Sequence, residues 1–179
     1  MQLEGKHQVS FQAVRSLAIE CHALDLSASE LLLFPVHNDS RGRTRATYDE
    51  LLTAKMLALA IALRTKFYQG TSYQGTEKYL EYVGMFESKR HGAAKTATFT
   101  LKDACDKIIH ADSVVRKFNT PQGKPITALA GTGPGTVKWR LSFSLASFAD
   151  SILWWLEDVE ETYHSLQPTS NGVPPLPPG

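Results

Sequence analysis

One short stretch of the chain places a histidine close to two carboxylates. His110 follows Asp106 by four residues and Asp103 by seven, and these spacings bring side chains to one face of an α-helix. Two carboxylates beside an imidazole favour its protonated form and raise its pKa, which suits a general acid. These three residues are therefore the candidate catalytic group of the sequence.

The alternative interpretation of His110 is structural. The apolar stripe of the same segment is centred on Leu101, and His110 falls almost opposite it on a helical wheel. The helix dipole also favours a histidine at the last turn of a helix. The sequence leaves open whether His110 is catalytic or is a solvated residue on a structural helix.

The residues around His110 resemble a family motif. Residues 106–111, DKIIHA, are similar to part of the Arg-Asn/Asp-x-x-x-His signature of HEPN proteins. These are small helical domains that include metal-independent ribonucleases of toxin–antitoxin and phage-defence systems. The resemblance implies RNA cleavage by an arginine and a histidine that act together at a dimer interface. Cys105 stands where the family has its arginine, so the motif here lacks its phosphate-binding cation.

A second pair of residues has the looser spacing of the same family signature. Arg15 and His22 are separated by six residues, so both side chains lie on one face of the first predicted helix. The resemblance makes them an alternative catalytic pair, although the family usually carries its motif later in the chain.

Two further features suggest binding to a partner. Arg41, Arg43 and Arg45 alternate in RGRTR, and guanidinium groups bind phosphate through paired hydrogen bonds; the alternative is an ordinary solvated loop. Trp154 lies off the apolar stripe of its helix, whereas Trp155 lies on it. An exposed tryptophan is typical of an interface, and the alternative is a second packed layer.

The sequence predicts neither a metal site nor a cofactor. Its six histidines show no HxxxH or HxH spacing. The glycine-rich segment GTGPG, 131–135, is followed by a predicted strand instead of a helix, so it predicts a hairpin and not a phosphate loop. Cys21 and Cys105 fall on apolar helix faces without a CxxC pair, which predicts buried free thiols in a reducing cytoplasm.

The candidate residues are placed by helices whose apolar residues recur at three- and four-residue intervals. Thr47-x-x-Glu50 and Thr100-x-x-Asp103 have the pattern of capping boxes, which predicts helix starts near Tyr48 and Leu101. The second helix is apolar nearly all round and is expected to be the central, most buried one. The predicted helices are 8–24, 48–68, a shorter one at 76–87, 101–111, and a last one that opens at 147 and extends to 166.

Three segments alternate in the manner of strands: 113–119, 126–131 and 136–145. The expected fold is therefore α+β: a bundle of about four helices with a small antiparallel sheet, about residues 113–145, before the C-terminal helix. Residues 1–167 are expected to form a single globular domain. Residues 168–179 are rich in proline and are expected to be a flexible tail, in which Pro174-x-x-Pro177 has the spacing of a PxxP motif.

Charge and hydropathy limit the classes of protein that the chain can belong to. The net charge is +1, but five acids and no Lys or Arg follow residue 147. The preceding body is therefore basic, which permits an anionic partner without requiring one. The longest apolar run, MLALAIAL at 56–63, is much shorter than the roughly 20 residues of a membrane span. No secretion signal is evident at the N-terminus. A cytoplasmic protein without a membrane partner is expected.

The sequence therefore supports two hypotheses about function. The first is a non-enzymatic protein-interaction module, a degenerate HEPN-like protein of a bacterial defence or toxin–antitoxin system that binds a protein partner or itself. The alternative is a metal-independent ribonuclease that uses His110 and binds RNA. An arginine brought close to His110 by the fold would favour the ribonuclease.

Overall fold

The structure is a computed structural model that describes residues 8–32, 42–81, 83–90, 93–95, 99–118 and 125–166. Within these ranges the chain forms four α-helices and five strands. The helices are α1 (Phe11–Leu32), α2 (Arg43–Tyr68), α3 (Leu101–Ile109) and α4 (Leu145–Leu166). The strands are β1 (Gly84–Arg90), β2 (Ala93–Lys95), β3 (Ser113–Lys117), β4 (Ile126–Thr132) and β5 (Lys138–Phe143).

The strands form one antiparallel sheet in the order β2-β1-β5-β4-β3. On the central strand β5, the alternate side chains of Trp139, Leu141 and Phe143 are buried in the same core as the helices. The helices therefore pack on one face of the sheet. The α+β prediction is confirmed, and the three predicted strands correspond to β3, β4 and β5.

The segment from residue 76 to 98 differs from the prediction. Residues 76–87 were expected to form a helix, but a 3-10 helix covers only Thr76–Leu80, and the chain then enters β1. The residues from Gly84 to Ser88 pair with β5. Because these ladder hydrogen bonds are long-range, they outweigh a short local helical pattern. The sheet has five strands instead of three for the same reason, since the expected connection 88–98 contains part of β1 and all of β2.

Three helices begin or end at positions that local patterns did not predict. α2 begins at Arg43, after Gly42 in a left-handed conformation (φ 63°), so Thr47 lies inside the helix and caps nothing. α1 continues to Leu32 because its buried stripe continues through Asp25 and Ala28. α4 begins at Leu145, since a side chain of α1 accepts one of its first N–H groups. The predicted start of α3, with its Thr100–Asp103 capping box, is confirmed.

The core lies between the sheet and the helices, around Trp155. The Trp155 indole packs edge-on against Phe67 of α2, with 5.4 Å between ring centroids, and against Phe11 of α1 at 6.4 Å. α2 lies between α1 and α3, but it is not buried all round, because Leu57 and Ile61 are exposed. The apolar residues of α2 therefore exceed what the core requires.

One buried ion pair connects the sheet to the helices. The carboxylate of Asp25 on α1 lies 2.5 Å from the guanidinium of Arg116 on β3, and both side chains are at most 3% exposed. Asp25 also accepts the N–H of Ala146 at 2.7 Å, at the start of α4. Arg116 donates to the hydroxyls of Thr127 on β4 and Tyr48 on α2. This buried polar network therefore touches α1, α2, α4 and two strands.

Removing the charge of Asp25 should strongly destabilise the protein. Asp25→Asn leaves the buried Arg116 guanidinium without its counter-ion, and breaking such a pair costs about 3–5 kcal/mol. The matched control is Glu20→Gln, which removes a 2.6 Å ion pair to Lys55 on the surface, where about 1 kcal/mol or less is expected. Urea unfolding measures both free energies of unfolding; similar losses in the two variants would contradict the prediction.

The hairpin between β4 and β5 depends on a glycine. The hairpin predicted for GTGPG is confirmed: Gly133 donates its N–H to the carbonyl of Val137 at 2.8 Å, and Gly135 adopts a positive φ of 69°. Gly131 lies directly opposite Trp139 in the ladder. A Cβ at Gly131 would lie only 2.3 Å from the Trp139 ring. The indole therefore occupies the space that a side chain at residue 131 would need.

Gly131→Ala should displace the Trp139 ring and cost about 1–3 kcal/mol, the usual result of overpacking. Gly133→Ala is the matched control in the same hairpin, because its added Cβ would meet its nearest atom at an ordinary 3.6 Å. We expect the control to change the free energy of unfolding by no more than about 0.5 kcal/mol. The measurement is urea unfolding followed by tryptophan fluorescence, and equal stability of the two variants would count against this packing argument.

Candidate functional site

His110 lies at the C-terminal end of α3. Its backbone N–H donates to the carbonyl of Asp106 at 3.1 Å, and the residue is exposed to solvent. Among the described residues, its side chain has no hydrogen-bond or ion-pair partner. The imidazole is therefore accessible to a ligand, but no carboxylate holds it in one orientation or tautomer.

The two aspartates near His110 in sequence contact other groups. Asp103 accepts hydrogen bonds from the backbone N–H of Thr100 at 3.0 Å and from its hydroxyl at 2.7 Å, which completes the cap of α3. Asp106 lies 3.0 Å from both Arg64 on α2 and Lys102 on α3. The structure thus places the three residues of the predicted catalytic group on one short helix, but no hydrogen bond between their side chains is found among the described residues.

Arg64 is the residue near this site that sequence reasoning missed. Its guanidinium reaches from α2 to Asp106, one helical turn before His110, and it donates to the hydroxyl of Tyr68 at 3.0 Å. These two partners raise the pKa of Arg64. No sequence spacing connects residues 64 and 106, because the contact depends on how α2 packs against α3. Arg64 supplies a cation near His110, but Asp106 neutralises it.

The alternative pair, Arg15 and His22, lies between α1 and α4. Arg15 forms ion pairs of 2.6 Å with Glu157 and Glu160, and these partners raise its pKa. His22 Nε2 lies 3.1 Å from a carboxylate oxygen of Asp150. The two side chains do share a helix face, as the spacing predicted, but that face meets the acidic side of α4. A phosphate would have to displace these carboxylates.

The arginines of the RGRTR segment are not all in a loop. Arg41 lies outside the described residues. Arg43 and Arg45 form the first turn of α2, which corrects the loop prediction. Arg43 is exposed, whereas Arg45 forms a 2.9 Å ion pair with Asp49 and lies 4.2 Å from the centre of the Phe118 ring. Arg45 is therefore already engaged within the fold.

Both cysteines are buried free thiols, as predicted. Burial raises the pKa of Cys21 to about 12 and raises that of Cys105 further. Neither thiol is therefore a thiolate nucleophile near neutral pH. In the ranges that the structure describes, no group of His, Cys, Asp and Glu side chains is arranged to hold a metal ion, and none of the helices there has the length and apolar character of a membrane span.

Trp154 forms an exposed aromatic surface on α4. The indole is 52% exposed, whereas the neighbouring Trp155 is buried, as the helical pattern predicted. The Trp154 ring packs edge-on against Tyr79 with 5.1 Å between ring centroids. Tyr79 donates its hydroxyl to Asp158 at 2.6 Å. The hydrogen bond fixes the tyrosine, so the tryptophan is supported from one side and open to solvent on the other.

An open groove of about 790 Å³ runs beside this aromatic pair, between the segment 72–79 and α4. Lys78 lies 3.1 Å from Asp158. The hydrogen bonds from Tyr79 and Lys78 lower the pKa of Asp158, while burial raises the pKa of Tyr79. The side chain of Glu161 also lines the groove. The groove is therefore lined by the aromatic residues Tyr79 and Trp155, by two carboxylates and by one cation, and Trp154 lies beside it.

Comparison with protein-family models, curated proteins and solved structures found no match for the chain.

The contacts of Asp158 predict that the free energy of unfolding decreases at acidic pH. Because its pKa is lower in the folded state, ionised Asp158 stabilises the fold fully above its unfolded pKa near 3.8 and loses this effect as the pH falls through the folded pKa. Asp158→Asn should therefore be less stable than the native protein at pH 7, and the difference should shrink below about pH 4. Glu161→Gln removes the same charge from an exposed position on the same helix and is the control. Urea unfolding across this pH range checks the prediction, which fails if the difference for Asp158→Asn is constant.

Proposed function

We propose that the protein is a non-enzymatic interaction module that binds a protein partner through Trp154 and the adjacent groove of α4. The observation that carries this proposal is the half-exposed indole held edge-on by Tyr79. Large aromatic side chains dominate the energetics of protein interfaces, since they bury much area and lose little conformational freedom. A ring that is already supported by a neighbour loses even less freedom on binding.

The arginines near the two candidate histidines are paired with carboxylates, and this supports the same proposal. Arg64 is paired with Asp106, and Arg15 is paired with two glutamates of α4. His110 has no described partner that would orient it. A degenerate HEPN-like module of a bacterial defence or toxin–antitoxin system would have this character: it would keep a remnant of the motif, but its candidate charges would stabilise the fold.

The second candidate function is a metal-independent ribonuclease that uses His110. The observation in its favour is Arg64, because the fold brings this arginine from α2 to the helix that ends at His110. An RNA phosphate would then compete with Asp106 for the guanidinium of Arg64. The imidazole of His110 would act as the general acid or base of the cleavage. The competition with Asp106 makes this the weaker of the two proposals.

Trp154→Ala should weaken binding to the protein partner about 30-fold, since an aromatic interface anchor commonly contributes about 2 kcal/mol. The measurement is quantitative affinity capture from the cells that express the protein, followed by titration of the captured partner. Leu26→Ala is the control, because Leu26 is similarly exposed, at 60%, but lies on α1. If Trp154→Ala and Leu26→Ala bind the partner like the native protein, the proposed surface is wrong.

His110→Ala distinguishes the two candidate functions in the same experiment. Under the interaction proposal it should leave binding unchanged and alter the free energy of unfolding by no more than about 0.5 kcal/mol, as for other exposed residues. RNA cleavage is assayed beside binding, with a chelator present. Cleavage by the native protein that disappears in a folded His110→Ala variant would establish the ribonuclease instead.

A further inference from the structure

The face of the sheet opposite the helices is open in the described part of the chain. Because Trp139, Leu141 and Phe143 face the core, the alternate residues of β5 point away from it. The outward positions of β3 and β4 carry exposed or half-buried side chains, of which Val115 is 52% exposed. The described outward residues are Ser113, Val115, Lys117, Ile126, Ala128, Ala130, Thr132, Lys138, Arg140 and Ser142.

This open face carries cations that form no ion pair with other described side chains. Lys117, Lys138 and Arg140 are exposed and form no ion pair with any described side chain. The cations that the structure pairs with acids lie elsewhere: Arg15, Arg45, Lys55, Arg64, Lys78, Lys102 and Arg116. Glu87 occupies the position across from Arg140 in the ladder, and Asp112 lies at the edge of the face. The three exposed cations exceed these two acids by one charge, so the face is weakly basic.

The shape of the face also suits a contact. Arg140 lies opposite Ala130, and Ala128 lies opposite Ser142, so small residues occupy the middle of the sheet. A hollow of about 420 Å³ lies where β4 and β5 approach their hairpin, and its lining includes Ala130, Lys138, Arg140 and the acid Asp112. A side chain that projects from a partner could therefore enter between the two cations.

The surface around Trp154 has the opposite charge. Glu157, Asp158 and Glu161 follow Trp154 at three, four and seven residues, which places all of them on the same side of α4. Glu157 is 62% exposed despite its ion pair with Arg15. Because α4 contains no Lys or Arg, its surface stays acidic apart from the cations that α1 and Lys78 supply.

We propose that two copies of the chain bind each other through these two surfaces, with the Trp154 surface of one copy on the open sheet face of the other. This inference rests on the proposed function: the protein partner of the interaction module is a second copy of the same chain. The indole would enter the hollow beside Ala130, and the exposed carboxylates of Glu157 and Glu161 would meet Lys138 and Arg140. Since the two surfaces differ, the contact is head-to-tail and each copy retains one free surface for a third.

The size of the open face predicts a weak association. Five strands spaced about 4.8 Å apart, of which β2 has three residues and the others five to seven, give a face of at most roughly 20 Å by 20 Å. Burying such a face would cover about 800 Å² on the two copies together, which is below the range of stable interfaces and typical of weak, transient ones. Self-association should therefore depend on concentration and should decrease in about 0.5 M salt, which screens exposed charges beyond a few Å.

The test is sedimentation equilibrium of the full chain at low and high salt. The native protein should form species larger than dimers as its concentration rises. Arg140→Glu, which alters only the sheet face, and Trp154→Ala, which alters only α4, should each raise the dissociation constant at least about tenfold. Arg43→Glu is the control, since Arg43 is an exposed cation outside both surfaces.

Mixing the two variants provides the sharpest result. Arg140→Glu retains an intact α4 and Trp154→Ala retains an intact sheet face, so an equimolar mixture has one functional pair of surfaces. The mixture should form a 1:1 complex and stop there. If the mixture stays monomeric while the native protein associates, or if Arg43→Glu weakens association equally, the head-to-tail contact is wrong.

A native protein that is monomeric at every concentration overturns the inference of a second copy. The proposed function would still stand in that case if Trp154→Ala weakened capture of a different protein. If Trp154→Ala affects neither self-association nor capture, both the inference and the proposed function are wrong.

Discussion

The buried ion pair between Asp25 and Arg116 is the interaction on which the arrangement of the helices and the sheet depends. Two charges with at most 3% exposure can be tolerated in a core only if they neutralise each other and their other polar atoms find partners. Asp25 meets most of this condition by also accepting the N–H of Ala146, and Arg116 does so through the hydroxyls of Tyr48 and Thr127. The Nε of Arg116 is buried without a hydrogen-bond partner among the described residues. Burial raises the pKa of Tyr48 to about 12, so its hydroxyl stays neutral. The register of α1 relative to β3 is therefore fixed, since a shift of either element would leave a buried charge without its partner.

The acidic helix α4 is held in place by the same kind of interaction at its surface. The body of the chain is basic and the C-terminal part is acidic, which at first suggests an anionic ligand. The structure shows that much of this asymmetry is satisfied within the chain, because Arg15, His22 and Lys78 reach carboxylates of α4. The cations of the open sheet face form no ion pair with a described side chain. Of the acids beside Trp154, Glu157 and Asp158 are paired with Arg15 and Lys78, and Glu161 has no ion pair among the described residues. The unpaired charges of the two surfaces therefore have opposite signs.

The same constraint limits the chemistry of the motif residues. An arginine that binds phosphate in catalysis has to be free to meet its substrate, and a histidine that transfers a proton needs a partner that sets its tautomer. In this fold the arginines near both candidate histidines are bound to carboxylates, and His110 lacks an orienting partner among the described residues. The exposed Trp154 is different, because the fold supports it through Tyr79 and Asp158 but does not cover it. Trp154 is therefore a candidate binding group that the described part of the fold leaves exposed.

The sequence by itself determined the features that depend on neighbouring residues. Helix periodicity, the cap at Thr100, the hairpin at Gly133–Val137, the burial of both cysteines and the exposure of Trp154 all follow from patterns a few residues long. Only the tertiary structure decided which distant groups meet. Long-range pairing with β5 turned the residues after Gly84 into a strand, Asp25 provided the cap that starts α4, and the packing of α2 on α3 gave Asp106 to Arg64 instead of His110. The physical reason is that a carboxylate or a strand edge binds whichever partner the packed core brings to it, and spacing along the chain does not record that partner.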